Sequence, residues 1–360
     1  MAENFAEQCR QGYDRGKDLA LDDACLRPAN IVVAGMGGSA ISGDLAGAVF
    51  SQRLKVPVAV ARGYHLPAFV SRKTLIIAVS HSGNTAETIS AFNEALKARA
   101  RLIAICSGGK LKEMALGSGA PWVEVPMKDA PRAYQRPRAC TGFLLMPIVA
   151  IFERLSARVL KPQPSATDEA LEMLQRQGAS LSRDIRTSEN PAKRLAARLA
   201  GRFPLIYAAV PWLASVALRW RTQLNENSKA LAISHELPEL DHNEVVGWSR
   251  GAATVIEPVC VWLRPRDEDL EPEMRARLRL SPQVAEAPAY HEDVTASGAS
   301  RLAQVLSLVH MGDMVSLYLA LLYGVDPADT GPITRLKTML EQAARSEEVA
   351  RKAKKSFQNS

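Results

Sequence analysis

The chain has 360 residues, enough at roughly 100–200 residues per domain for about two domains. Its 47% hydrophobic and 23% charged residues are ordinary for a globular protein, and 22 glycines with 21 prolines are too few for a collagen-like or low-complexity chain. Lys and Arg (45) exceed Asp and Glu (38), giving a net charge of +7, with late positive charge in a tail (Arg345, Arg351, Lys352, Lys354, Lys355) not interleaved with aromatics, so a solvated helix end is expected rather than a nucleic-acid arm.

The N-terminus, from Met1 to Gly16, lacks the charged, apolar and small-residue regions of a signal peptide, and a cytoplasmic location is expected. The long apolar stretches read as strand-sized or amphipathic, so no bilayer-crossing segment and no membrane partner are expected. The cysteines (Cys9, Cys25, Cys106, Cys140, Cys260) are odd in number and form no C-x-x-C pair, which predicts reduced thiols and no structural zinc.

Apolar runs at Asn30–Ala34, Val56–Ala61, Lys73–Ser80, Arg101–Cys106 and Trp122–Val125 alternate with helical stretches such as Thr85–Arg99. That alternation predicts an α/β fold with a doubly wound parallel sheet. A helix is expected over Phe143–Leu160, followed by a proline-rich break, Lys161–Ser165, that divides residues 1–160 from 161–340. In the second half, helical patterns cover Asp168–Arg186 and Pro191–Arg202. A strand over Pro204–Ala209, a helix around Ala214–Leu224 and a strand over Ala253–Leu263, broken near Pro258, follow. Gly298–Tyr323 and Ile333–Lys355 read as long helices, and residues 341–360 as a basic tail. The two halves therefore read as similar α/β units with helices on both faces, plus a C-terminal helix.

Two strand-to-helix loops carry the first chemical signal. Gly35-Met36-Gly37-Gly38-Ser39-Ala40 follows the first strand, where glycines admit a ligand to the backbone and the helix start offers free N–H groups. It also matches G-x-G-x-x-A, but the acidic residue that dinucleotide binding requires about 20 residues on is replaced by Arg62 and Gly63, so NAD is disfavoured and only NADP stays formally open. In the second loop, Ser80-His81-Ser82-Gly83-Asn84-Thr85, three hydroxyls, an amide and a glycine meet another helix start, a set that suits a phosphate monoester. No G-K-[ST] follows, so a magnesium nucleotide is not indicated. Asn84 with Glu87 three residues on also resembles a capping box, which can coexist with phosphate binding.

Together these loops resemble the sugar isomerase (SIS) domain family, which binds phosphosugars through Ser and Thr of the second loop. A longer resemblance, from about Asn30 to Leu340, is to the bifunctional phosphoglucose/phosphomannose isomerases. Asn225-Glu226-Asn227-Ser228-Lys229, Leu237 through Glu244, Gly247-Trp248, Pro137 through Phe143, Met311 through Tyr318 and Gly324 through Pro327 carry it. The resemblance implies two SIS-type domains, a homodimer, no cofactor and no metal. It implies interconversion of glucose 6-phosphate and mannose 6-phosphate with fructose 6-phosphate through an enediolate, after ring opening.

Candidate phosphate-binding residues are Gly38, Ser39, Ser80, Ser82 and Thr85. Glu226 is the candidate base that moves a proton between C1 and C2, flanked by Asn225 and Asn227. His242 is the candidate acid/base for ring opening, because an imidazole titrates near neutrality. The resemblance implies that it reaches the partner chain's site. His235, seven residues earlier, does not complete a metal-ligand spacing with it, and His65, His291 and His310 read as structural. Arg138 is the candidate enediolate stabiliser, with Arg132 and Arg136 close enough in sequence to be confused with it. Lys337 resembles a lysine that approaches the substrate ring oxygen from the family's C-terminal helix, and Thr330 could share its face. Two residues depart from the family pattern: His81 stands where an aromatic is common, and Asp241 where asparagine is, beside His242, where a carboxylate would raise the imidazole pKa.

Three other readings fit the sequence less well. A non-catalytic SIS-domain regulator would not need Glu226 or His242 and would commonly carry a helix-turn-helix segment, for which the short N-terminus leaves no room. An amidotransferase would need a glutaminase domain opening on a cysteine, whereas this chain opens Met1-Ala2. An NADP enzyme would need the first loop to hold a dinucleotide.

Overall fold

The computed structural model describes residues 4–126, 136–157, 166–248, 257–284 and 290–340, with residues 342, 343 and 346. The first half contains α1 (Phe5–Lys17), β1 (Asn30–Ala34), α2 (Gly38–Phe50), β2 (Val58–Ala61), β3 (Thr74–Ser80), α3 (Ala86–Lys97), β4 (Arg101–Cys106), α4 (Gly109–Ser118), β5 (Trp122–Glu124) and α5 (Thr141–Ala157). Its five strands are all parallel in the order β2-β1-β3-β4-β5. The central strand β3, Thr-Leu-Ile-Ile-Ala-Val-Ser, is buried along its whole length, as expected of a parallel strand covered by helices on both faces.

The second half contains α6 (Ala166–Leu181), α7 (Pro191–Leu199), β6 (Phe203–Ala208), α8 (Ala214–Gln223), β7 (Ile233–Glu236), α9 (Glu244–Trp248), β8 (Pro258–Arg264), α10 (Pro272–Val284), β9 (Tyr290–Thr295) and α11 (Arg301–Leu322). Four parallel strands run in the order β7-β6-β8-β9. The first four strands of each half thus share one winding order. That likeness is invisible residue by residue, because any apolar residue serves a buried strand.

The halves share one core. α1 and α2 lie against α5, α1 also meets α6, and α2 meets α8 and α11. α1 and α5 cross closely enough that a Cβ on Gly142 would fall 2.7 Å from the Gln8 Cβ. A single cluster of buried apolar side chains runs from Phe5 through Phe152 and Trp220 to Leu319. The expected break at Lys161–Ser165 lies outside the described residues.

α11 corrects one expectation. It has 22 residues and includes an 18-residue window of mean hydropathy 1.7, so by length and composition it could cross a bilayer. Its apolarity has another cause, since it is buried against α6, α7 and α8. Of the elements not foreseen, β7 and β9 are short edge strands with polar sequences, and α1 hides its inner face behind small residues such as Cys9, Gly12 and Gly16. β2 starts at Val58 rather than Val56, because Pro57 has no N–H for the ladder.

Candidate active site

In the first sheet the chain leaves β1 toward α2 and β3 toward α3, and β1 and β3 are neighbours. The crevice outside their carboxyl ends is the topological switch point, the usual ligand position in such sheets. Both loops singled out from sequence open there. They touch, because the His81 N–H donates to the Ser39 Oγ (3.4 Å). Within the second loop the Ser80 and Thr85 hydroxyls are 2.9 Å apart, the Gly83 N–H donates to Ser80 Oγ (3.1 Å) and the Asn84 N–H to Ser82 Oγ (3.2 Å). Ser80 and Ser39 are buried, Thr85 is half-buried and Ser82 is exposed. Ser80 thus shapes the loop, while the Ser82 and Thr85 side chains remain accessible.

Gly83 has φ +72°, and a Cβ there would fall 1.7 Å from the Gly108 carbonyl oxygen, so only glycine fits beneath the loop that follows β4. The Asn84–Glu87 capping box does not form. Thr85 occupies the N-cap of α3, and Asn84 Oδ1 instead accepts from the Lys110 N–H (3.0 Å) at the start of α4. His81 is buried, and its carbonyl accepts from the Ser107 N–H (3.1 Å) and hydroxyl (2.6 Å), bracing the same two loops together.

Arg138 enters this crevice from the one-turn 3-10 helix Pro137–Ala139 just before α5. Its backbone nitrogen lies 3.3 Å from where a Cβ on Gly38 would be, so the glycine admits it. The guanidinium is buried and held from the second half of the molecule. Nη1 meets Glu226 Oε2 at 2.9 Å, Nε donates to Asn227 Oδ1 at 2.7 Å and Nη2 donates to the Pro327 carbonyl. Burial pushes the guanidinium pKa down and Glu226 pulls it back, so it keeps its charge. Arg136 lies alongside without these contacts, and Arg132 is outside the described residues.

Glu226 sits on a π-helical turn, Leu224–Ser228, that continues α8, with its side chain 34% exposed. Such turns are rare and frequent at functional sites. Behind the pair runs a buried polar network that sequence reasoning missed. Asn227 Nδ2 donates to Ser316 Oγ (2.9 Å), the Ser316 hydroxyl donates to the Asp313 carbonyl (2.9 Å), and the Asp313 carboxylate accepts from Arg219 Nη2 (2.7 and 2.8 Å) and Gln223 Nε2 (2.8 Å). Arg219 Nη2 also donates to the Arg138 carbonyl (3.2 Å). The signal was an arginine inside an apolar helix, at Leu218-Arg219-Trp220 of α8.

Gly38, Ser39, Ser80, Ser82, Thr85, Arg138 and Glu226 therefore converge where the carboxyl end of the first sheet meets the turn entering β7 of the second. Among the described residues, His242 and Lys337 make no hydrogen bond or ion pair with them. Glu226 precedes β7 and His242 follows it, so a four-residue strand, about 13 Å at roughly 3.3 Å per residue, separates them. His242 is exposed on the 3-10 turn Glu239–His242, whose flanks are anchored: Asp241 Oδ2 accepts from Arg277 Nη1 of α10 (2.8 Å), and Glu244 accepts from the Tyr207 hydroxyl. Asp241 thus already faces a cation of its own. Lys337 is exposed on the helical stretch 331–340, which begins with the Gly331 N–H donating to Asp329 Oδ1 and the Thr334 N–H to the Thr330 carbonyl.

The Arg62 side chain, the residue that kept NADP open, pairs with Asp44 of α2. A cavity of about 1190 Å³ lies elsewhere, between edge strands β2 and β7, lined by residues such as Val58, Val60, Trp212 and Ser234. Among the described residues, neither the two Ser/Thr-bearing loops nor the Arg138–Glu226 pair lines it.

Residues 26–115 match the SIS domain family, and residues 188–340 match the bacterial phospho-glucose isomerase C-terminal SIS domain family. A bifunctional phosphoglucose/phosphomannose isomerase from Caldicellulosiruptor bescii is 34% identical over 344 residues, covering 94% of this chain and 97% of the relative. Another so named, from Thermoplasma acidophilum, is 36% identical over 324 residues, covering 89% and 94%. Among solved structures, hypothetical protein TT0462 from Thermus thermophilus superposes with a TM-score of 0.74 at 16% identity, over 95% of this chain and 89% of that one, which establishes the shared fold. The winding of both sheets, the two phosphate-type loops and this end-to-end likeness lead to one conclusion: the chain belongs to the bifunctional phosphoglucose/phosphomannose isomerase family.

Proposed function

We propose that the protein is an aldose–ketose isomerase that interconverts glucose 6-phosphate and mannose 6-phosphate with fructose 6-phosphate. The observation that carries this reading is the Arg138–Glu226 pair, 2.9 Å apart beside the phosphate-type loops, in a chain that follows the family over nearly its whole length. Ser82, Thr85 and the amides at the start of α2 hold the substrate phosphate, which leaves C1 and C2 to reach Glu226.

Glu226 then takes the proton from C2 of the open-chain aldose and returns it to C1. Negative charge develops on the C1 and C2 oxygens of the enediolate, where the buried Arg138 cation stabilises it most effectively, because desolvation strengthens the interaction. The isomerisation moves the C2 proton to C1 and the O2 hydroxyl proton to O1 and conserves electrons, so no redox partner is required. A phosphosugar-binding regulator would need the loops alone, not a buried cation aimed at a carboxylate.

Ring opening needs a further acid/base. We assign it to His242 from a second copy of the chain, with Lys337 approaching the ring oxygen. The support is topological: within one chain β7 separates His242 from Glu226, and the histidine is braced on an exposed turn. Five buried cysteines, none in a disulfide among the described residues, fit a reducing cytoplasmic compartment.

The test is a coupled assay run separately with glucose 6-phosphate and mannose 6-phosphate. Turnover of both is expected. Binding of either phosphosugar without turnover would support the regulator reading instead.

A further inference from the structure

We infer that Lys229 is a positioning residue for this reaction, its ammonium clamping the Glu226 turn to the 326–329 segment so that the C-terminal part of the site keeps its register. The inference rests on the isomerase reading above. Lys229 ends the π-helical turn with φ +57°, a left-handed conformation in which glycine or asparagine is more comfortable than lysine. From that position Nζ donates at short range to the backbone carbonyls of Glu226 (2.7 Å), Asp326 (2.9 Å) and Asp329 (2.9 Å), with a long fourth contact to the Asn227 carbonyl (3.5 Å). The three short contacts match the three N–H donors of an ammonium. Its hydrogen-bond acceptors are neutral carbonyls rather than carboxylates, so the direct contacts fix backbone position, while the nearby Asp329, Asp326 and Glu226 carboxylates favour the charged ammonium.

The clamped segment is already a unit. Asp326 Oδ1 accepts from the Ala328 N–H and Asp329 Oδ1 from the Gly331 N–H, each at 2.8 Å. Between them the Pro327 carbonyl accepts from Arg138 Nη2. The 326–329 turn is therefore gripped by a cation from each half of the molecule, and both cations also contact Glu226, one at its carboxylate and one at its carbonyl. The helical stretch 331–340 follows directly and is exposed along most of its length, so among the described residues this turn is its anchor. Loosening the grip would move Arg138, Glu226 and the start of the Lys337 helix together. The phosphate loops are built on separate contacts.

Lys229→Met and Lys229→Asn test this. Asparagine tolerates the left-handed conformation, so it removes the ammonium while relieving the strain. Both variants should lower kcat about tenfold through lost positioning, with KM for glucose 6-phosphate within about twofold of wild type. Amide hydrogen exchange over residues 324–340 should quicken while β1, β3 and α5 stay protected. Lys229→Arg, which can still donate to several carbonyls, should recover part of kcat. Unchanged exchange over 324–340, or a wild-type kcat in Lys229→Asn, overturns the proposal. If Lys229→Met fails to fold, Lys229→Asn decides alone by the same two readings. Turnover of neither sugar phosphate by the wild-type protein would instead defeat the isomerase reading, and the exchange result would still report on the clamp.

Discussion

Arg138 is the residue on which the two halves of the molecule meet. It follows the first sheet in the chain, touches Gly38 of the first loop and spends its donors on Glu226, Asn227 and Pro327 of the second half. Its partner is the clearest single-residue test. Glu226→Gln keeps the shape of the side chain and removes the base. We expect kcat to fall on the order of 10²-fold or more, since general acid–base groups contribute roughly 10²–10⁴. Binding of an inert phosphosugar should persist, because Ser82 and Thr85 are untouched. Steady-state kinetics with a binding titration would check both, and a near-normal kcat would remove Glu226 from the role of base. Arg138 and Glu226 were legible in sequence because each sits in a distinctive block. Lys229 stood in the same block without a role, since backbone carbonyls 97 and 100 residues away leave no mark on composition or spacing.

At the scale of elements, α8 and α11 act as one support. Trp220 Nε1 donates to the Leu308 carbonyl (2.8 Å), and the absence of a side chain at Gly312 makes room for that indole, since a Cβ there would lie 2.4 Å from Nε1. Beside it, the Arg219–Asp313 pair ties the helices with side chains only 2% and 13% exposed. Removing one partner of a buried pair leaves the other charge uncompensated, at a typical cost of roughly 3–5 kcal/mol. Asp313→Ala should therefore lose stability on that scale in urea denaturation, whereas Arg219→Met with Asp313→Leu should recover much of it. If Asp313→Ala unfolds within about 1 kcal/mol of wild type, the pair is not a brace of the ordinary buried kind.

At the scale of the whole molecule, the placement of His242 makes a prediction about assembly. A histidine and a base at opposite ends of one strand serve a common reaction most simply across two chains. His242→Ala protein mixed with Glu226→Gln protein, under conditions that exchange subunits, should then regain activity. In a mixed dimer the site with intact Glu226 borrows the intact His242, while the other site lacks both. Random pairing in a two-fold dimer sets the recovery at up to about a quarter of wild type. If both groups came from one chain, every site would lack one of them, and mixing would restore nothing. A fully active monomer in sedimentation would also defeat this arrangement.

The sequence by itself determined the class of the fold and the family, and it supplied the residues on which the proposed chemistry rests. Strands β1, β3 and β4 read directly because buried parallel strands must be continuously apolar, and the two loops because glycine and hydroxyl residues at a strand-to-helix turn have few other uses. The roles of Glu226, Arg138 and His242 were carried by blocks that match a known family, not by periodicity. Only the tertiary structure decided that Arg138 and Glu226, 88 positions apart, are 2.9 Å apart, and that Asn84 braces α4 instead of capping α3. It alone set His242 beyond β7 and Asp241 against Arg277. The physical reason is common to all of these. Local propensity is written in neighbouring residues, whereas a contact between distant ones depends on how two sheets and their helices share a core, and many sequences satisfy the same burial.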